Sequence, residues 1–282
     1  YDPKRFSPYM IRNKISSNKS EFIMPEEYKN FVHSEEDDIV YKVYKKYQEI
    51  LYRNNSVDFD DLLILPIKLF KENEDILDYY REKYKYIMVD EYQDTNEAQY
   101  ILIKMLAAKY RNIACIGDND QSIYMFRGAN YKNILNFEKD YKDAKIIMLE
   151  QNYRSTKTIL DAANSVIKNN TFRKDKNLWS DKGEGEKISF YKSYDEIDEV
   201  FYIIRKIKEL ISKGTPYKDI AILYRTNAQS RVFEQELLKQ NIPFRIVGSF
   251  YFYSRKEIKD LLAYLRLILN SDDDISLIRC IN

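Results

Sequence analysis

The sequence predicts an α/β protein in which parallel sheets are flanked by helices, with a separate helical region at its N-terminal end. From about residue 86 onward, short strand-forming segments alternate with helical segments. This βαβ order places successive strands parallel in one sheet. Residues from about Pro25 to Asn54 are instead rich in Glu, Lys and Tyr at helical spacing and contain no clear strand.

Length, composition and net charge exclude several classes of function. A chain of 282 residues is long enough for two domains, and no apolar run of about 18 residues predicts a membrane span. Lys+Arg total 46 against 45 Asp+Glu, a net charge of +1, so nucleic-acid binding would have to come from local patches. His33 is the only histidine, which excludes histidine-based catalytic triads and multi-histidine metal sites.

The two cysteines, Cys115 and Cys280, have no metal-ligand spacing, and we expect them to be reduced thiols. We find no signal peptide, and the chain begins with Tyr1 instead of Met. These observations predict a cytoplasmic protein whose first residue is an internal cut.

The N-terminal region is predicted to be helical. Apolar residues recur at i, i+4 and i+8 along Ile39, Val43, Tyr47, Ile50 and Leu51, as in a helix packed on one side. The segment from Lys4 to Lys19 has two interpretations, a phosphate contact or a solvated helical face. Residues 58–62, Asp-Phe-Asp-Asp-Leu, then open another helix, because acids suit the positive N-terminal end.

Two βα series follow. The first has strands Tyr86–Val89 and Ile113–Ile116 on either side of helix Glu97–Ala108. In the second, the predicted strands are Lys145–Leu149, Lys187–Tyr191, Ile220–Tyr224 and Phe244–Val247. Its predicted helices are Thr156–Lys168, Glu196–Lys213, Arg231–Gln240 and about Arg255–Leu269. Residues 180–185 form the clearest flexible connection in this half.

Asp90 and Glu91 follow the first strand directly. Open α/β sheets bind ligands at the carboxyl ends of their strands. Two adjacent carboxylates suit nucleotide hydrolysis, one holding Mg²⁺ and the other orienting or deprotonating water. The alternative is a strand end with two solvated acids. A second polar cluster, residues 116–124, favours a nucleotide site.

Gln121 and the residues after it add two further functions to that cluster. A neutral amide at a strand end can contact a γ-phosphate or position water. Tyr124, Phe126 and Arg127 then place two rings and a guanidinium in one short loop, where stacking on bases contributes about 1–3 kcal/mol each. The alternative is that both rings belong to the core.

Arg154 lies where a predicted strand ends and a helix begins, with Ser155 or Thr156 as a natural N-cap. An arginine at a helix start can reach an anion in the manner of an arginine finger, although a structural role is the alternative. No pair of glycines has the spacing of the phosphate loop G-x-x-x-x-G-K-[ST]. We therefore expect this chain to bind nucleotide poorly.

Together these segments resemble superfamily 1A DNA helicases of the PcrA/UvrD/Rep type. The motifs occur in family order: VDEYQDTN (89–96), IGDNDQSIYMFRGA (116–129), LEQNYRST (149–156), ILYRTNAQSRVFE (222–234) and FYFYSRKEIKDLLAYLRLILN (250–270). DFDDLL (58–63) matches as well, and residues 1–56 resemble the helical insertion of the first motor domain.

The resemblance implies ATP and Mg²⁺ as cofactors of the intact parent. Asp90 would ligate Mg²⁺, Glu91 would be the catalytic base, and Gln121 would sense the γ-phosphate. Tyr153 would stack on adenine, and Arg154 would be the finger from the second motor domain.

It also implies single-stranded DNA contacts through Tyr124, Phe126 and Arg127, with Arg255 as a further contributor. The family pattern has Trp where this chain has Phe126, which can still stack but with less area.

The fold implied is RecA-like, of the P-loop NTPase type, with an incomplete first motor domain. We expect a helical subdomain at 1–56, the C-terminal half of the first RecA-like domain at 57–143, and the first part of the second at 144–282. The function implied is that of a 3′→5′ helicase that translocates on single-stranded DNA and unwinds duplex at single-strand/duplex junctions, in repair or replication. We expect the fragment itself to be inactive and monomeric.

Three alternatives stay open. One is the helicase portion of an AddA-type helicase–nuclease, which uses similar motifs. The second is a catalytically inactive module that binds single-stranded DNA, which the missing phosphate loop permits. The third is a helical scaffold with a vestigial motor. Retention of Asp90, Glu91, Gln121 and Arg154 favours a hydrolytic parent.

Overall fold

The computed structural model describes residues 5–130, 132–170, 176–247, 256–270 and 272–281. The chain divides into two compact units, residues 1–186 and 187–282. The helices of the first unit are α1 (Pro8–Ser20), α2 (Pro25–Tyr28), α3 (Glu35–Arg53), α4 (Asp61–Glu72), α5 (Glu74–Lys83), α6 (Glu97–Ala107), α7 (Lys132–Asp140) and α8 (Lys157–Ile167). Its strands are β1 (Ile87–Val89) and β2 (Ile113–Cys115).

The helical region is built on α1 and α3. Ser7 caps α1 by accepting the Met10 N–H, and Ser34 caps α3, whose first turn carries four acids that suit the helix dipole. The buried face of α3 consists of Ile39, Val40 and Tyr44.

The predicted apolar stripe on α3 was therefore partly wrong. Val43 and Tyr47 are only partly buried, and Ile50 is exposed. The apolar core formed with α1 includes residues of α3 as far as Tyr47, whereas Leu51 in the last turn is partly buried outside that core.

A buried ion cluster ties α1 to the start of α4. Lys19 is 0% exposed, and its ammonium lies 2.6 Å from Asp58 Oδ2 and 2.7 Å from Asp61 Oδ1. Tyr47 donates its hydroxyl to Asp58 at 3.0 Å, and Gln48 donates its amide to Asp61 at 3.3 Å. We call these five residues the Lys19 cluster. The acids that open α4 thus hold a lysine from another helix in addition to facing the helix dipole.

The sheet of the first unit consists of β1 and β2. They pair in parallel with Ile87 opposite Ile113 and Val89 opposite Cys115, and α6 forms the crossover between them. Asn96 and Gln99 form a capping box at the start of α6. The prediction of a parallel βαβ unit is confirmed, with each strand one residue shorter than expected. Both strands end at the same side of the sheet.

The four strands predicted in the second βα series were wrong for the described residues. Lys145–Leu149, Lys187–Tyr191, Ile220–Tyr224 and Phe244–Val247 form no ladder there, and only an isolated bridge joins Gln151 to Trp179. Each segment is a short apolar run, and such a run becomes a strand only where a neighbour pairs with its backbone. The helices between them lie within two residues of their predicted bounds.

The second unit contains α9 (Glu196–Ser212), α10 (Ser230–Lys239), α11 (Lys256–Leu269) and α12 (Asp274–Ile281). Asp195 caps α9 by accepting the N–H groups of Ile197 and Asp198. Its core lies between α9 and α10, where Val200, Ile204 and Phe233 are buried together. Across the part of the chain that the structure describes, no helix is both long and apolar enough to cross a membrane.

Candidate nucleotide and nucleic-acid site

The carboxyl ends of β1 and β2 form a polar rim. Asp90 follows β1 and is exposed, and its Oδ1 accepts the Glu91 N–H at 2.9 Å. Glu91 has φ 48° and ψ 43°, the left-handed region. A non-glycine residue there costs on the order of 1 kcal/mol and is common at functional sites. The chain thus turns sharply at Glu91, and both carboxylates remain at the surface.

Gln93 joins the ends of the two strands. Its Nε2 donates to Glu91 Oε2 at 2.7 Å, and its Oε1 accepts the Asp118 N–H at 2.9 Å. Its side chain is fully buried. A methyl group added at Gly117 would lie 2.6 Å from Gln93 Oε1, so only glycine fits beside this amide. We missed Gln93 in the sequence because a glutamine in a loop has no periodic signal.

Gln121 and Asp118 complete the rim. Gln121 Nε2 donates to Asp118 Oδ2 at 2.8 Å, and Asp118 Oδ1 accepts the Asp120 N–H and contacts the Lys176 ammonium. Burial opposes ionisation of Asp118, but the hydrogen bonds from Lys176 and Gln121 outweigh it and lower its pKa. The rim therefore contains one hydrogen-bonded chain from Glu91 through Gln93 and Asp118 to Gln121.

Asp94 is a second rim residue that sequence reasoning missed. Its Oδ1 is buried and has no hydrogen-bond partner among the described residues. Burial, and then repulsion from Glu91, raise the pKa of this carboxyl.

Two aromatic rings, Tyr124 and Phe126, follow the rim, and the first lies three residues after Gln121. Tyr124 is 39% exposed and Phe126 67% exposed, with ring centroids 6.1 Å apart and planes inclined by 38°. The alternative that both rings belong to the core was wrong. The turn Met125–Arg127 ends at Gly128, whose φ of 85° favours glycine. The Arg127 side chain lies outside the described residues.

Tyr153 and Arg154 lie in a separate exposed turn of the first unit. The Tyr153 ring is 74% exposed, and its hydroxyl donates to Gln151 Oε1 at 2.9 Å. Asn152 Oδ1 accepts the N–H groups of Arg154 and Ser155, whereas Thr156, at the N-cap of α8, makes no side-chain cap. Among the described residues no hydrogen bond or ion pair joins Arg154 to the rim. Arg255 lies outside the described residues.

The chain was then compared with known proteins. The UvrD/REP helicase N-terminal domain matches residues 1–142, and the UvrD-like helicase C-terminal domain matches residues 147–282. The chain belongs to the UvrD/Rep helicase family. This family has a RecA-like α/β fold, so the predicted fold class is confirmed.

Individual relatives agree with the family assignment. ATP-dependent DNA helicase PcrA of Bacillus subtilis (strain 168) is 55% identical over 282 residues, which cover 100% of this chain and 38% of the relative. Proteins of the same name from Staphylococcus aureus (strain Mu50) and Staphylococcus epidermidis (strain RP62A) are 53% identical over 281 residues. The chain thus spans 38% of the length of these relatives.

The UvrD/Rep family implies bound Mg²⁺, and the rim offers one suitable ligand. Mg²⁺ is usually held by one or two carboxylates together with waters and substrate phosphates. Asp90 is exposed, and its Oδ2 makes no hydrogen bond among the described residues, so it fits this role. No three His, Cys, Asp or Glu side chains of the described ranges gather into a larger metal site.

Proposed function

We propose that this chain is part of an ATP-dependent DNA helicase and carries half of its hydrolytic site together with a grip on single-stranded DNA. One observation carries the proposal. The hydrogen-bonded chain from Glu91 through Gln93 and Asp118 ends at Gln121, and an exposed ring pair begins three residues later. The relatives that share 53–55% identity are named ATP-dependent DNA helicases, which supports the proposal.

Each rim group has a defined role in this proposal. Asp90 holds Mg²⁺, which neutralises phosphate charge when bound. Glu91 orients or deprotonates the attacking water, and its carboxylate is held in place by Gln93. Gln121 presents one N–H of its amide group to the γ-phosphate while Asp118 accepts the other N–H and fixes the side chain. A small movement of Gln121 is then passed to Tyr124 and Phe126, so that nucleotide state changes the grip on the strand.

The finer features of the parent are further parts of the same proposal. Tyr153 stacks on the adenine, and Arg154 acts as an arginine finger from the second RecA-like domain, 144–282, across the ATP cleft. The parent moves 3′→5′ along single-stranded DNA, opens duplex at junctions, and works in repair or replication in the bacterial cytoplasm.

A second candidate is favoured by the absence of the phosphate-loop pattern from the sequence. The chain alone would then bind single strands without turning over ATP. Backbone amides and the lysine of that loop position and stabilise the transferring phosphate. We expect no DNA-stimulated ATP hydrolysis by the purified 282-residue monomer, as measured by phosphate release. Turnover at the rate of a motor enzyme would contradict this expectation.

Fluorescence anisotropy with labelled oligo(dT) tests the grip. The variant Tyr124→Ala/Phe126→Ala should bind at least about fivefold more weakly than the unsubstituted 282-residue chain, which is called the parent chain below. Each lost stacking contact contributes about 1–3 kcal/mol. The matched control is Phe31→Ala/Tyr52→Ala, which removes one exposed Phe and one exposed Tyr from the helical region of the first unit. Equal binding by the parent chain and the first variant would overturn the proposal.

A further inference from the structure

A second surface of the first unit adjoins the ring pair. A groove of about 1180 Å³ lies between the exposed face of α1 and a wall that includes residues 125, 126, 128–130 and 132. We call it the α1 groove. Pockets that enclose small ligands measure roughly 300–1,000 Å³, so this groove is large for a small molecule and has room for a segment of polymer.

The α1 wall of the groove is polar and carries an uncommitted cation. Because α1 buries Ile11, Ile15 and Lys19 on its other face, residues 9, 12, 13 and 17 are exposed at helical spacing. The helix contains no acidic residue. Arg12 lies over the Tyr9 ring at 5.0 Å and forms no ion pair among the described residues.

The lysines of α1 are engaged elsewhere. Lys14 pairs with Glu36 at 2.6 Å, and Lys19 belongs to the buried cluster. Among the cations of α1, Arg12 is therefore the candidate for the phosphate contact that the sequence left open for residues 4–19.

The opposite wall brings apolar groups close to α1. Phe126 and Met125 are exposed and line the groove. Gly128 lies directly against α1, since a methyl group added there would be 3.0 Å from Ser20 Cβ. The ring that we assign to the strand grip thus continues into the α1 groove.

Charge along the groove is uneven. Glu21 follows the C-terminal end of α1, whereas Arg12 lies nine residues earlier, about 13 Å along the helix axis. Lys132 and Glu97 also line the groove, so its net charge is close to zero. A polyanion would therefore find favourable charge only locally, as at Arg12, and its other contacts would be with rings and uncharged polar groups.

We propose that the α1 groove is a second contact surface for single-stranded DNA. Arg12 binds a phosphate, and Tyr9 and Phe126 stack on bases. Asn13 and Ser17 form hydrogen bonds with sugars or base edges. The inference rests on the proposed function, because Phe126 belongs to both surfaces. It adds a binding wall from the helical region that no motif of the sequence marks.

Anisotropy with labelled oligo(dT) and the 282-residue chain tests the groove. Tyr9→Ala/Arg12→Ala should weaken binding by about fivefold or more, and should reduce the slope of log affinity against log salt by about 0.7, as expected for one phosphate contact on a single strand. The control Tyr52→Ala/Arg53→Ala removes the same residue types from the exposed end of α3 and should bind like the parent chain. Both variants change exposed side chains, and circular dichroism should find both folded.

A further variant separates this inference from the proposed function. Tyr124 belongs to the ring pair but does not line the groove. If Tyr124→Ala weakens binding and Tyr9→Ala/Arg12→Ala does not, the groove proposal is overturned and the proposed function stands. If the parent chain does not bind oligo(dT), both are overturned. Photocrosslinking to a 4-thiothymidine oligonucleotide should label residues 9–17, and labelling confined to residues outside the groove would also overturn the proposal.

Discussion

The Lys19 cluster and the strand rim use the same kinds of residue for opposite purposes. In the cluster, Lys19 is 0% exposed, and two aspartates lie within 2.7 Å of its ammonium. At the rim, Asp90 and Glu91 are exposed, and among the described residues each accepts a single side-chain hydrogen bond, from the Glu91 N–H and from Gln93 respectively. The charges of the cluster are paired within the protein, whereas the rim leaves carboxylate oxygens for a ligand.

The difference shows how burial and pairing separate structural from functional charges. A buried charge must be paired within the fold, because leaving it unpaired costs several kcal/mol. Water can satisfy an exposed acid, so the need for a partner within the fold does not determine where that acid lies. The left-handed backbone at Glu91 and the buried amide of Gln93 keep the rim acids in place although solvent alone would satisfy them.

The largest effect is expected at the centre of the cluster. Lys19→Met preserves most of the volume but leaves Asp58 and Asp61 without their cation, and should lower the free energy of unfolding by about 3–5 kcal/mol. The control Lys42→Met breaks an exposed pair with Asp38 and should cost less than about 1 kcal/mol. Chemical denaturation measures both. Similar losses for the two variants would contradict the difference that we expect between the buried Lys19 cluster and an exposed ion pair.

The second-largest loss of stability is expected at Gln93, the buried side chain of the rim. Gln93→Leu leaves the Asp118 N–H without an acceptor and Glu91 without its donor, so we expect a loss of about 1–3 kcal/mol. Gln121→Leu should cost less than about 1 kcal/mol, because water replaces an exposed amide. Urea denaturation of both variants checks the order, and a larger loss for Gln121→Leu would reverse our interpretation of the rim.

Acid should weaken the Lys19 cluster, because Asp58 pairs with Lys19 as a carboxylate. Burial opposes ionisation of Asp58, but Lys19 and the Asp61 N–H hold its pKa below the ordinary value. Its carboxylate therefore stabilises the fold above about pH 4, and this stabilisation is lost as the pH falls through the lower folded pKa. Asp60 opposes the trend, because burial raises its pKa.

Removing the titrating group isolates the Asp58 contribution. The stability of Asp58→Asn, followed by denaturation from about pH 6 to about pH 2, should fall less steeply than that of the parent chain below about pH 4. Parallel curves for the two proteins would show that Asp58 does not contribute in this range.

The smallest effect is expected at the exposed acids. Asp90→Asn and Glu91→Gln each keep the acceptor oxygen that the rim uses, so thermal unfolding should change by no more than about 0.5 kcal/mol. In the intact parent the same variants should abolish ATP hydrolysis. A large loss of stability would mean that these acids hold the fold and would weaken their assignment to the site.

Helices and the first βαβ unit were predictable because their signals are local. Helical periodicity and capping residues located α6 and α9 within a few residues, and the apolar run before Asp90 located β1. The strands of the second series were not predictable in this way, since a run such as Ile220–Tyr224 forms a strand only with a partner.

The Lys19 cluster was unpredictable for a related reason. Lys19 meets residues 39 and 42 positions later in the chain, and no local pattern encodes that contact. The acids of the rim were found from their place after a strand, but Gln93 and Asp94 were not. Their roles depend on burial between two strand ends, which becomes visible only in three dimensions.

The close fit between Gly117 and Gln93 constrains the order in which this site can change. A side chain at position 117 would meet Gln93 Oε1 at 2.6 Å and Ile134 Cδ1 at 2.9 Å. Gly117→Ala should therefore lower stability while Gln93 is present. It should lower stability less after Gln93→Ala shortens that side chain. A double-mutant cycle would measure this dependence as a non-additive stability change. Laboratory evolution of the rim would then favour a change at position 93 before a change at position 117, because the first change removes the shorter of these two contacts.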